Sequence, residues 1–126
     1  MSWQSYVDVQ MVGTGFISRG AIIGSNGGIW AASPNFKIDA KEAAALTQCF
    51  QSVDAASSNG LYLNGEKYVL LRGNDRTVLG KKGSAGCHCV KTKKAILIGV
   101  YDEGILPTNV STTMEKLADY LISLDY

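Results

Sequence analysis

The stretch from Leu61 to Tyr101 constrains this chain most, because it consists of short apolar runs separated by tight turns. Leu61-Tyr62-Leu63, Asn64-Gly65 and Glu66-Lys67-Tyr68 form the clearest hairpin signal: two residues that tolerate positive φ between two runs of strand formers. Tyr68 to Arg72 continues as a strand, Gly73-Asn74-Asp75 turns, and Arg76 to Lys81 returns. Gly83-Ser84-Ala85-Gly86 turns again. Cys87 to Thr92, a Lys93-Lys94 turn and Ala95 to Tyr101 then complete a meander. Connections this short join antiparallel neighbours, since a parallel pair needs a long crossover.

The flanks add a second hairpin and three helices. Phe16 to Gly24 reads as a strand with Ala21-Ile22-Ile23 buried, Ser25 to Gly28 as a turn, and Ile29 to Ala32 as the return. Asp39 caps a helix over Ala40 to Gln51, whose Lys41-Glu42-Ala43-Ala44-Ala45-Leu46 run has high helix propensity; Ala43, Leu46 and Phe50 form its apolar stripe. Asp54 to Asn59 is polar and small, a loop or single turn. Val110, Met114, Leu117, Ala118 and Leu121 give an amphipathic helix within Pro107 to Tyr126, capped by Thr108 or Asn109. At the N-terminus, Trp3, Tyr6 and Val7 share a helical stripe that Ser2 or Ser5 starts and Gly13 and Gly15 stop soon after Met11. A helix that short is stable only when packed. Its aromatics either cover the domain edge or belong to an exposed aromatic platform, and the decision rests on whether other rings arrive beside them. The sum is α+β: an antiparallel sheet of six or seven strands whose faces the two terminal helices and the middle helix must cover.

At 126 residues, 46% hydrophobic and with a mean hydropathy of +0.05, the chain is expected to be one globular domain over 1–126. No apolar run is long enough to span a bilayer. Cys49, Cys87 and Cys89 are odd in number, and Cys87 and Cys89 would be i, i+2 neighbours on one strand face, too far apart to bond without distortion. Free thiols and the lack of a signal-peptide pattern point to a reducing cytosol. The net charge of +1 conceals an uneven layout. Lys67, Arg72, Arg76, Lys81, Lys82, Lys91, Lys93 and Lys94 fall in one span whose single acid is Asp75. Such a face suits an acidic partner.

Catalytic chemistry is not evident. His88 lies mid-strand between two cysteines and must point to the opposite face, so Cys87-His88-Cys89 can supply neither three converging metal ligands nor a Cys-His nucleophile pair. Gly80-Lys-Lys-Gly-Ser84 lacks the earlier glycine and the following helix of a phosphate-binding loop. No carboxylate pair suggests acid–base work. These features point to a binding module without cofactor or metal rather than an enzyme. The basic span reads as a solvated sheet face, as an interface for an acidic protein, or as a seat for an anionic lipid head group. It has too little aromatic interleaving for nucleic acid.

Taken together, Ser2-Trp-Gln-Ser-Tyr-Val-Asp8, Ala21-Ile-Ile-Gly24, Gly28-Ile-Trp-Ala31, Gly80-Lys-Lys-Gly83, Val90-Lys-Thr-Lys-Lys-Ala-Ile-Leu-Ile-Gly-Val-Tyr101 and Glu115-Lys-Leu-Ala-Asp-Tyr-Leu121 resemble profilin over nearly the whole chain, in the manner of the short amoebal members. The resemblance implies terminal helices packed on one face of the sheet with smaller helices on the other. It implies a monomeric, cytoplasmic, cytoskeleton-associated protein that binds monomeric actin and regulates its polymerisation. It also implies a separate groove for proline-rich proteins, whose aromatics map onto Trp3, Tyr6, Trp30, Tyr120 and Tyr126. Flat rings flank the prolines of a preformed polyproline helix, and Trp N–H and Tyr O–H groups donate to its carbonyls.

By the same resemblance the actin face comprises Lys67, Arg72, Lys81, Lys82, Ser111, Thr112 and Lys116, and phosphoinositide head groups engage Lys81, Lys82, Lys91, Lys93 and Lys94. There are departures. Leu79 stands where short members often carry a tyrosine. Leu106 to Met114 replaces a stretch often richer in Gly and Ala, and Cys87-His88-Cys89 replaces apolar and Thr residues. These departures sustain an alternative: a profilin-fold adaptor that keeps the proline-rich and lipid sites but binds little actin.

Overall fold

The structure is a computed structural model that describes residues 2–34, 36–51 and 60–126. The polar stretch from Asp54 to Asn59 lies outside the described residues. The strands β1 (Arg19–Gly24), β2 (Ile29–Ala32), β3 (Leu61–Leu63), β4 (Glu66–Gly73), β5 (Thr77–Lys82), β6 (Ala85–Lys91) and β7 (Ala95–Tyr101) form one sheet in the order β2-β1-β7-β6-β5-β4-β3. All its pairings are antiparallel. Among the described residues the helices are α1 (Trp3–Ser5), which runs on through a wider π-helical stretch (Tyr6–Met11) and a 3-10 turn (Val12–Thr14), α2 (Ala40–Gln51) and α3 (Pro107–Ser123).

The sheet carries a core on each face. Ile22, Val90, Ala95 and Leu97 meet Val7, Met11, Val110, Met114 and Leu121 of the terminal helices. Ile23, Val78, Cys89, Ile96 and Ile98 meet Ala43, Leu46 and Phe50 of α2. β7 lies between β1 and β6 and is buried along its whole length, which is why its sequence is continuously apolar rather than alternating. Where the terminal helices cross it, Gly20 and Gly99 pair in register. A Cβ at Gly20 would come within 2.8 Å of Met11 Sδ, and one at Gly99 within 2.8 Å of Met114 Sδ. The paired glycines make a flat seat that lets both helices approach the sheet.

Glu42 anchors the opposite layer. Asp39 Oδ1 accepts from the Glu42 N–H at 2.8 Å and Glu42 Oε1 accepts from the Asp39 N–H at 3.2 Å, a reciprocal cap at the start of α2. The same carboxylate accepts from the N–H groups of Asn64 (2.9 Å) and Gly65 (2.7 Å) in the β3–β4 turn. That turn holds positive φ at both residues, 54° and 79°, as a two-residue hairpin of this kind requires.

Several boundaries differ from the sequence expectation. β1 starts at Arg19 rather than Phe16: Ile17 is buried beneath the terminal helices, and the Ser18 N–H and hydroxyl both donate to the Val100 carbonyl before the ladder begins. β5 starts at Thr77, and the β5–β6 turn is the shorter pair Gly83-Ser84, with Lys82 opposite Ala85. The N-terminal helix widens at Tyr6, where the Val12 N–H bonds the Val7 carbonyl five residues back. α3 is capped by neither Thr108 nor Asn109; Leu106 holds the cap position and Pro107 the first turn, where a missing N–H costs nothing. The helix ends at Ser123, and Asp125 turns the chain back with φ 69°.

Candidate functional site

Three separated segments deliver aromatic rings to one place. Ser2 caps α1 by accepting from the Ser5 N–H at 3.1 Å, and Gln4 donates to the Ala32 carbonyl at 2.9 Å, fixing the N-terminal helix against β2. Trp3 then lies 4.7 Å from Trp30 of β2, 4.9 Å from Tyr126 and 5.6 Å from Tyr6, measured between ring centroids. Tyr6 in turn lies 6.3 Å from Tyr120 of α3. Spacings of this size and tilted or edge-on angles are those of mutually attractive rings.

The rings are held but not hidden. Tyr6 is buried, whereas Tyr120 is 51% and Tyr126 40% exposed. Burial, reinforced by the neighbouring Tyr120 and Tyr126, raises the Tyr6 phenol above its ordinary value, so it stays a neutral hydrogen-bond donor. Tyr126 is pinned from behind: its carbonyl accepts from the Lys94 N–H and from Thr92 Oγ1. Lys93 Nζ sits 2.7 Å from Asp125, and Lys94 Nζ lies 6.0 Å from the Tyr126 ring centre. Beyond Tyr6 and Tyr120 a trough of about 380 Å³ continues between the terminal helices, lined by Gln10, Thr14, Thr113, Lys116 and Leu117.

The profilin family model matches residues 1–126. The chain belongs to the profilin family. It is 53% identical to profilin-2 of Acanthamoeba castellanii over 97% of each chain, and 39% identical to the profilin of Drosophila melanogaster over the full length of both. The structure of Acanthamoeba castellanii profilin II superposes with a TM-score of 0.96 at 51% identity, covering 99% of this chain and all of that one. Mouse profilin IIa, solved in complex with a double repeat from the FH1 domain of mDia1, shares the fold at a TM-score of 0.80 and 20% identity, each chain covered in full. Profilins are non-enzymatic, actin-binding proteins of the cytoplasm and cytoskeleton that also bind polyproline. Among the described residues no helix is long and apolar enough to cross a membrane, and no cluster of His, Cys, Asp and Glu is placed to hold a metal.

The basic residues of this profilin do not form one patch. Successive strand residues face opposite ways, so Lys81 and Lys82 are parted. Lys81 lines a hollow of about 240 Å³ with Leu71, Leu79, Pro107 and Ser111, while Lys82 turns to Glu66 at 3.2 Å. That contact, with Arg19 at 3.6 Å, holds the Glu66 carboxyl below the usual range. Arg72 and Ser111 share an adjoining polar hollow of about 230 Å³ with Leu79, His88 and Glu115. Thr112 is exposed and bonds back to the Thr108 carbonyl at 3.0 Å. Lys67 is exposed on β4 opposite Tyr62 of β3. Lys116 lines the interhelical trough rather than these hollows. Lys91, Lys93 and Lys94 gather at the β6–β7 turn, while Lys81 and Lys82 lie by the β5–β6 turn at the opposite end of β6, which is roughly 20 Å away at about 3.3 Å per residue.

His88 has a structural partner. Its Nε2 lies 2.8 Å from Glu115 Oε2, which also accepts from Thr77 Oγ1 at 3.1 Å; Glu115 Oε1 pairs with Arg76 at 3.0 Å. Arg76 reaches on to Asp119 at 2.8 Å. Burial works against the Glu115 charge, but the bonds from His88, Arg76 and Thr77 outweigh it and leave the carboxyl below its ordinary value. Cys87 and Cys89 point the other way, into the core under α2 with Cys49, and all three are buried free thiols.

Val69, Leu71 and Leu106 escape a search for charged residues. Val69 and Leu71 are 63% and 57% exposed on the face of β4 opposite to buried Tyr68. The run Tyr68-Val69-Leu70-Leu71 is apolar on both faces of an antiparallel strand, which leaves apolar surface exposed on its outer face.

Proposed function

We propose that this profilin binds monomeric actin and regulates its polymerisation through the face formed by β4, β5 and the start of α3, and docks proline-rich segments on Trp3, Tyr6, Trp30, Tyr120 and Tyr126. The convergence of five rings from both ends of the chain and from β2, four of them partly exposed around buried Tyr6, carries the second half of this reading. A surface that merely closed a core would bury them. The mouse relative solved with a double repeat from the FH1 domain of mDia1 supports it through the shared fold.

The actin half rests on apolar Val69, Leu71 and Leu106 framed by Lys67, Arg72, Lys81, Ser111 and Thr112, with Lys82 and Lys116 on its borders. Exposed apolar surface supplies the contact area, and the cations steer an acidic partner. For phosphoinositides the two lysine groups are separate seats. A head group on Lys91, Lys93 and Lys94 would compete with proline-rich ligands, and one on Lys81 with actin.

The test is titration of monomeric actin and of a proline-rich peptide. Saturable binding of both, with Lys81→Glu weakening actin alone, supports the proposal. Peptide binding without actin binding would overturn the actin half and favour the adaptor reading, for which the observation is Leu79, in place of a tyrosine, on the wall of both hollows.

A further inference from the structure

The aromatic row does not end at Tyr6 and Tyr120. The terminal helices run antiparallel there, with Tyr6 beside Tyr120 at one end of the trough and Thr14 with Thr113 at the other. Seven residues of α3 separate Thr113 from Tyr120, roughly 10 Å of helix at about 1.5 Å per residue. An extended chain covers that distance with about three residues at about 3.1 Å each.

The lining changes character along this path. It begins with rings and buried Leu117 and passes to Gln10, Thr14, Thr113 and Lys116, which are polar but carry one charge, a cation. No carboxylate lies within ion-pair distance of Lys116 among the described residues. The nearest acids along α3 are already engaged: Glu115 with His88 and Arg76, and Asp119 with Arg76. Prolines fit the ringed end because they offer flat faces and carbonyls. At the far end their carbonyls still meet donors, but their flat faces meet no ring and they bring no countercharge to the ammonium.

We propose that the trough is a specificity subsite for the segment flanking the proline helix, and that Lys116 selects an acidic residue there, two or three positions beyond the last ring-bound proline. The inference rests on the proline-docking reading above. Lys116 is solvent-exposed, so the selection is modest and screened by salt.

The experiment uses the full chain without actin and follows tryptophan fluorescence. The probes are a ten-proline peptide and the same peptide extended at either end by three residues containing one glutamate, one glutamine or one lysine. The expected result is that the glutamate peptide of one polarity binds about two- to five-fold tighter than its glutamine counterpart at low salt. The lysine peptide should bind more weakly, and the preference should vanish in Lys116→Gln and at high salt. Equal affinity of the glutamate and glutamine peptides at both ends, or a preference that survives Lys116→Gln, would overturn the subsite. If the ten-proline peptide itself fails to bind, the docking reading fails instead. Lys41→Gln, which removes an exposed lysine from α2 on the other face of the sheet, should retain the glutamate preference and controls for the change in net charge.

Discussion

Thr92 Oγ1 donates to the backbone carbonyl of Tyr126 at 2.7 Å, so a buried hydroxyl in the β6–β7 turn positions a ring of the aromatic platform. The same oxygen accepts from the Ala95 N–H at 3.1 Å. Tyr126 is not part of a helix. Its place beside Trp3 depends on this bond, on the Lys94 N–H and on its own N–H to the Leu121 carbonyl. Thr92→Val keeps the branched shape and removes both bonds. It should weaken proline-rich peptide binding by about five-fold, equivalent to about 1 kcal/mol for one hydrogen bond. Actin binding should be unchanged, and Thr92→Ser should restore peptide affinity. Equal peptide affinities of wild type and Thr92→Val would show that Tyr126 holds its place without Thr92.

Gly24 plays a steric part in the same platform. A Cβ there would lie 2.8 Å from the indole nitrogen of Trp30 and 2.7 Å from Asn26 Oδ1. Neither contact is tolerable, and both side chains sit at the surface and have room to move away. Gly24→Ala should therefore displace the Trp30 ring at little cost to folding. Peptide affinity should fall several-fold, the near-ultraviolet signal of the stacked tryptophans should change, and the melting temperature should shift by no more than a few degrees, as expected for about 1 kcal/mol or less. Unaltered peptide binding would mean that Trp30 contributes little.

The thiols should be silent in the native state. Cys49, Cys87 and Cys89 are all buried. Burial raises the Cys49 thiol, and the contact with Cys87 together with burial raises Cys89. The thiolate is the reactive form, so a chromogenic disulfide reagent at neutral pH should titrate almost none of them until the protein unfolds, and then all three. Rapid native labelling would reveal an opening of the α2 layer.

The sequence made some of this legible and hid the rest for identifiable reasons. The bounds of α2 were readable because Asp39 and Glu42 form a local cap and strong helix formers follow. The β3–β4 turn was readable because Asn64 and Gly65 are the residues such a turn needs. These signals are carried within a few residues. The widening of the N-terminal helix was not readable: Met11, at its end, packs on Gly20, a contact between segments set by the tertiary fold that no local signal carries. The end of α3 was hidden by the same kind of cause: no Gly or Pro follows Leu121 to stop a helix, yet Tyr126 is drawn back to Thr92 and Trp3. Spacing alone grouped Trp3 with Tyr6, while Trp30, Tyr120 and Tyr126 arrive from distant segments and entered through the resemblance. Lys81 and Lys82 were read together in both basic sites, with the strand ending at Lys81; in the fold β5 runs on to Lys82, and the two side chains part. Nor could the sequence disclose the Glu66 that holds Lys82 on its own side.

Glu115 is one of the carboxylates through which the protein responds to acid. Its folded carboxyl lies below the unfolded value near 4.5, because His88, Arg76 and Thr77 donate to the ionised form more strongly than burial opposes it. A depressed carboxyl contributes stability that is fully present above the unfolded value and is lost as pH falls through the folded one. Unfolding free energy should therefore decline as the pH drops from about 5 toward 3. Glu115→Gln should lower stability at neutral pH by about 1–2 kcal/mol, since His88 is buried and loses its acceptor's charge. It should also flatten the acid limb, so that wild type and variant converge near the bottom of that range. Urea titrations at pH 7, 5 and 3.5 on both proteins measure this. Parallel curves with a constant offset would show that Glu115 acts by packing α3 onto the sheet rather than by its charge.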